Sequence, residues 1–131
     1  MRFTYIDTSA IAKLIRAEIH TRALQSYLGN PLVSSFLARI EISGVIKRAS
    51  KTEALFDDQI FSKIFLIPIS SNIAHIVDTT DFRGQLRTLD AIHIASAMSL
   101  GSNLQEVITY DRRMQKACTN LGIPFVDPQD S

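Results

Sequence analysis

Residues 106–126 read EVITYDRRMQKACTNLGIPFV. A β-branched run, EVITY, leads into a helical segment, DRRMQKACTNLG, and a second short β-rich run, IPFV, follows. Gly122 stands where a helix ends most easily, in the left-handed conformation that other residues avoid. Strand, helix, strand in so short a span gives a parallel pair joined by a covering helix.

The same alternation runs back to the N-terminus. RFTYID is a first strand ending at Asp7. SAIAKLIRAE and HTRALQSYL are helical, the second with Ala23, Leu24, Tyr27 and Leu28 on one face and Gly29, Asn30 and Pro31 as its stop. LVSSF is a second strand and LARIEISGVIKRAS a helix, with another helix over about Thr52 to Ser62. FLIPIS is a third strand and SNIAHIVDTT a short helix. The loop DFRGQLR leads to RTLDAIHIASAMSLG, residues 87–101, a largely apolar helix ended by Gly101. The expected architecture is one α/β domain over residues 1–131, a three-layer sandwich around a five-stranded, mainly parallel sheet.

The bulk properties set few further limits. A net charge of +1 argues neither for nor against a nucleic-acid partner. The single Cys118 excludes an internal disulfide and reads as a small buried residue. The opening MRFTYID has no signal-peptide composition, and the apolar run IFLIPI is far too short to span a bilayer. The expectation is a cytoplasmic chain with no membrane association.

In an open parallel sheet, ligands bind at the edge formed by the carboxyl ends of the strands. Asp7 ends the first strand and Asp111 follows the fourth. Asp90 lies in the first turn of the helix that runs back into the fourth strand, so it shares that edge. Glu41 lies about two turns into its helix if Ser35 is the cap, and its side chain tilts back toward the helix start. Each acid also has a plainer reading. Asp7 and Asp111 suit helix N-caps, Asp90 two residues after a Thr88 cap suits the helix dipole, and Glu41 suits the border of a buried stripe. Four unrelated caps and borders would not all fall on the ligand-binding edge.

Gathered carboxylates without His or Cys at ligand spacing suit a hard cation, Mg²⁺ or Mn²⁺. An ion there neutralises their repulsion, orients and activates a water, and stabilises charge at phosphorus and the leaving oxygen. Phosphodiester hydrolysis is the chemistry this constellation serves.

Four segments in order carry a family resemblance: YIDTSAIAKL, SSFLARIEISGVIKRA, LDAIHIASAMSLG and VITYDRRMQKACTNLGIPFVDP. Together they resemble the PIN domain family, and within it the VapC-type toxins of toxin–antitoxin modules. The likeness runs the length of the chain. It implies that Asp7, Glu41, Asp90 and Asp111 are a catalytic, metal-binding tetrad, with Ser9 and Thr109 as supporting hydroxyls. It further implies an endoribonuclease dependent on Mg²⁺ or Mn²⁺ that cuts structured RNA such as tRNA or rRNA loops. Its partners would be a cognate antitoxin and a second copy in a homodimer.

Arg112 and Arg113 follow Asp111, while Arg83 and Arg87 precede Asp90. They suit phosphate contacts at the rim, or are solvated surface charges. His93 shares a helical face with Asp90; against a general-base or ligand role, it is read as a histidine satisfied by a neighbouring carboxylate or backbone group and left outside the site. A haloacid-dehalogenase phosphatase would need an acid where Ser9 stands. A receiver domain would need an acidic pair after strand one and a Lys after the last strand. Two alternatives stay open: a DNA-directed nuclease of related fold, and a non-catalytic scaffold whose acids only cap helices.

Overall fold

The computed structural model of the chain describes residues 1–16, 21–46, 59–84 and 86–129. Its five strands are β1 (Phe3–Ile6), β2 (Leu32–Ser35), β3 (Ile64–Ile67), β4 (Leu104–Ile108) and β5 (Phe125–Val126). They form one sheet in the order β3-β2-β1-β4-β5, with every pairing parallel. The helices are α1 (Thr8–Arg16), α2 (Thr21–Tyr27), α3 (Phe36–Ile46), α4 (Ser71–Thr79), α5 (Thr88–Met98) and α6 (Arg112–Leu121), with a 3₁₀ turn at Gly101–Asn103. The expected three-layer α/β sandwich with its parallel five-stranded sheet is the observed fold.

Alternation along the strands sorts the core into two halves. Ile6 and Ile108, paired across β1 and β4, face a cluster with Ile11, Leu14, Leu24 and Ile42 from α1, α2 and α3. Tyr5 and Val107, one residue earlier, face the opposite way onto Ile94, Met114 and Cys118 of α5 and α6. Strands covered on both sides carry few exposed side chains, which is why they are nearly continuous apolar runs. Cys118 is fully buried, and burial pushes its thiol up to about 12, so it is inert packing.

Several boundaries move from the sequence expectation for local reasons. β3 begins at Ile64 and stops at Ile67, because Pro68 has no N–H to extend the ladder. α5 begins at Thr88 itself, with Arg87 as its extended N-cap and no side-chain cap, so Thr88 does not cap it. It ends at Met98, before Gly101, whose φ of +56° opens the 3₁₀ turn instead. α6 follows expectation: Asp111 caps it, and Gly122 closes it at φ +71°. The helix expected over Thr52–Ser62 lies mostly outside the described residues; residues 59–61 are helical.

The strand order makes β1 the turning point. The chain builds outward from β1 through β2 to β3, then returns to the other side of β1 for β4 and β5. The crevice at the carboxyl ends of β1 and β4 is therefore the switch point where such sheets bind ligands.

Ile108 is completely buried on one face of this central pair. Ile108→Ala should cost about 2–5 kcal/mol in urea unfolding. A loss below about 1 kcal/mol would mean that the face packs less tightly than its burial implies.

Candidate active site

Asp7 emerges from the end of β1 with 2% of its surface exposed. Its Oδ1 accepts hydrogen bonds from Ser9 Oγ (2.6 Å) and Ala10 N (3.1 Å), and its Oδ2 accepts a short one from Thr109 Oγ1. Burial pushes its carboxyl above the usual range, and the Ser9 and Thr109 hydroxyls oppose that rise. The two hydroxyls also accept from the backbone beyond β4: Tyr110 N donates to Ser9 Oγ (3.0 Å) and Asp111 N to Thr109 Oγ1 (3.1 Å). Asp7 is thus an N-cap for α1 and also the knot between the ends of β1 and β4. Ser9 and Thr109, the two hydroxyls singled out in the sequence, both hydrogen-bond the Asp7 carboxylate.

Asp111 sits directly beyond this knot. Its Oδ1 caps α6 by accepting from Arg113 N (2.8 Å) and Met114 N (3.4 Å). Asp90, in the first turn of α5, has its carboxyl raised by partial burial and then by repulsion from Asp111. The negative charge of Asp111 thus adds to burial in disfavouring the charged form of Asp90.

Glu41 belongs to a second hydrogen-bonded group. Ser35 Oγ accepts from Leu37 N (3.1 Å) at the start of α3, as expected for a capping serine. From α3, Glu41 Oε1 accepts from Thr8 Oγ1 (2.7 Å) and lies 2.8 Å from His93 Nε2. Partial burial alone would raise Glu41, but the contacts from His93 and Thr8 hold it below the usual carboxylate value. His93 is buried, and its Nδ1 meets the Tyr5 hydroxyl at 2.7 Å. The carboxylate that satisfies His93 is Glu41, one of the four acids, so the ring is in the core and in contact with the acidic edge. Tyr5 and Thr8, which complete its contacts, were missed in the sequence. The signals were present, since Thr8 adjoins Asp7, and a strand Tyr facing a closed core needs a partner for its hydroxyl.

Beside Asp90 opens a cleft of about 510 Å³ lined by Gly84, Leu86, Arg87, Asp90 and Arg113. Arg83 and Lys116 line an adjoining cavity of about 230 Å³ that shares Arg113. Arg87 and Arg113 thus line the cleft beside Asp90, whereas Arg112 is an exposed residue outside both linings.

The carboxylate oxygens suit a divalent ion in chemistry, and the mutual repulsion of Asp90 and Asp111 is relieved by a positive charge between them. Their spacing is not that of a closed ligand set. Among the described residues, no three Asp, Glu, His or Cys side chains are gathered to hold an ion as they stand. All four acids share one edge, but Asp7 is clamped by Ser9 and Thr109, Glu41 is bound by Thr8 and His93, Asp111 caps α6, and Asp90 lines the cleft.

Acids at the switch point of a parallel sheet make a ligand-binding edge, and comparison makes the class explicit. Residues 4–120 match the PIN domain family, and the chain belongs to it. It is similar to ribonuclease VapC46 of Mycobacterium tuberculosis, 34% identical over 130 residues that cover 98% of this chain and 99% of that one. Ribonuclease VapC47 of the same species is 29% identical, covering 95% and 96% of the two chains. Among solved structures, VapBC2 from Rickettsia felis bound to a promoter DNA fragment shares the fold at TM-score 0.76 and 12% identity, with 97% of this chain and 99% of that chain covered. A toxin–antitoxin complex from Klebsiella pneumoniae does so at TM-score 0.73 and 20% identity, with 98% and 99% covered.

The lowered Glu41 carboxyl has a consequence for stability. Its charged hydrogen bonds stabilise the fold above the ordinary carboxylate range, and that contribution is lost as pH falls through its lowered value. In the metal-free chain, Glu41→Gln should cost about 1–2 kcal/mol at neutral pH, with the gap to the parent closing in acid. A gap of constant size across the pH series would contradict this assignment.

Proposed function

We propose that the chain is a metal-dependent endoribonuclease that hydrolyses phosphodiester bonds in structured RNA, tRNA or rRNA loops, and is the toxin of a VapBC-type pair. The observation that carries the reading is the switch-point edge itself. A buried Asp7 is held there by Ser9 and Thr109, with the mutually repelling Asp90 and Asp111 beside it and an Arg-flanked cleft in front. The relatives named ribonuclease VapC support the substrate class.

Asp7, Glu41, Asp90 and Asp111 would hold Mg²⁺ or Mn²⁺. When bound, the ion supplies charge neutralisation and a polarised water for attack at phosphorus. The chain's own residues do the rest. Thr109 and Ser9 fix both oxygens of Asp7, so its orientation is set before substrate arrives. Thr8 and His93 hold Glu41 charged. Arg113 and Arg87 attract and orient the phosphodiester over Asp90, with Arg112 adding positive charge from the exposed side of α6.

Two partners belong to this reading. A cognate antitoxin would cover the edge, and a second copy would form a homodimer. Supporting a covered surface, Phe36 and Ile40 on α3 and Leu89 on α5 expose about half of their area close to the acids. The two solved structures with toxin–antitoxin partners support the pairing. Among the described residues no helix is long and apolar enough to cross a membrane, and a cytoplasmic location with the RNA substrate completes the proposal.

Purified chain should cut single-stranded or loop RNA in the presence of Mn²⁺, and EDTA should stop it. Asp7→Asn should reduce cutting to background with unchanged circular dichroism, because Asn still caps α1. Cleavage by Asp7→Asn at the parental rate, or cleavage that ignores EDTA, would refute the mechanism.

A further inference from the structure

His93 is a buried imidazole for which phosphodiester hydrolysis, as proposed above, has no direct task. Only 3% of its surface is exposed, yet both ring nitrogens are engaged. The contacts form a line through four elements. Ser35 N, at the end of β2, donates to the Tyr5 hydroxyl (3.1 Å) in β1. Tyr5 meets His93 Nδ1 in α5 (2.7 Å), and His93 Nε2 meets Glu41 Oε1 in α3 (2.8 Å). The Tyr5 and His93 rings meet edge to face, 6.0 Å between centroids and 78° between planes. Thr8 Oγ1 braces the far end, 3.1 Å from His93 Nε2 and 2.7 Å from Glu41 Oε1.

The direction of this line is set at its two ends. A backbone N–H can only donate, so the Tyr5 oxygen accepts from Ser35. The Glu41 carboxylate can only accept, which puts the ring proton on Nε2 and turns the Tyr5 proton to Nδ1. The tautomer is an assignment from the network, whose fixed ends are a backbone N–H and a carboxylate.

One oxygen of Glu41 is thereby occupied by two donors. Among the described residues no hydrogen bond reaches the other, Oε2. We propose that His93 is a positioning residue: through the Ser35–Tyr5 chain it presents an Nε2–H that fixes Glu41 by Oε1 and leaves Oε2 as its single available oxygen at the acidic edge. The role of Glu41 as an ion ligand rests on the function proposed above, whereas the tautomer and the fixing of Oε1 do not. A histidine kept only for packing would cost stability when removed and would have no particular relation to Glu41.

Two measurements test this. Ring nitrogen shifts of ¹⁵N-labelled, metal-free chain at mildly alkaline pH should show His93 as the Nε2–H tautomer, and Tyr5→Phe should release it to a mixture. An Nδ1–H ring in the parent overturns the proposal. Mn²⁺ titration by calorimetry should then show His93→Ala weakening binding about 10–100-fold. His93→Gln, which keeps a donor near the Nε2 position, should recover most of that loss. In a Glu41→Gln background, His93→Ala should have no further effect. Should His93→Ala not fold, Tyr5→Phe substitutes for it in the titration, with the same dependence on Glu41 expected. Unchanged Mn²⁺ binding in the folded variant overturns the proposal, as does a loss of equal size with and without Glu41. A parent that takes no Mn²⁺ at all removes the ion-ligand role and with it the metal reading, while the tautomer measurement still decides how Glu41 is held.

Discussion

A carboxylate with almost no access to water sits where two strands of the sheet lead off in opposite directions. Leaving Asp7 charged there without partners would cost several kcal/mol. The sheet itself supplies the compensation. Ile6 pairs with Ile108, so the next residues along, Asp7 and Thr109, meet across the gap between β1 and β4. Ser9 closes the other side from the first turn of α1 and takes the Tyr110 amide in return. A one-residue slip of β4 would turn Thr109 to the other face and strand the charge. Register, helix start and acidic site are therefore a single constraint. Asp111 follows from it, because its own amide is tied to Thr109 and its side chain then caps α6.

The remaining acids divide by environment. Glu41 is held below its ordinary value by a histidine and a threonine, so it stays charged in acid longer than a free carboxylate. Asp90 and Asp7 are pushed the other way, the first by partial burial and its neighbour Asp111, the second by full burial. One edge thus combines a secured negative charge with others that favour a cation nearby. Opposite tuning of neighbouring carboxyls is how one fold separates roles among similar groups. Arg87 and Arg113, lining the cleft beside Asp90, add the positive rim that an anionic polymer requires before it approaches so many acids.

Much of the fold was legible because local signals and global topology agree. EVITY, the helix closed at Gly122, and IPFV already contain a parallel unit, and the other strands repeat the pattern. What was not legible is where a helix starts without a polar cap. Thr88 has the right chemistry for a cap, yet Arg87 holds the position because burial of Ala91, Ile94 and Ala95 fixes how α5 lies on the sheet. For the site, the common edge of the acids could be deduced from strand polarity alone. Their division into separate hydrogen-bonded groups could not, since it depends on side chains far apart in sequence. Thr109 is 102 residues from Asp7, and His93 is 52 from Glu41. His93 is the clearest case. Its spacing from Asp90 announced a shared face, but only the fold brings Tyr5 and Glu41 to its two nitrogens.

The proposed activity requires the strand-end edge to be a cation site. Crystals of the chain soaked in Mn²⁺ and measured at the manganese absorption edge address that directly. The anomalous map should hold a peak at the carboxyl ends of β1 and β4, within coordination distance of oxygens from Asp7, Asp90 or Asp111. A map without a peak there, or with one only at an unrelated surface, would contradict it.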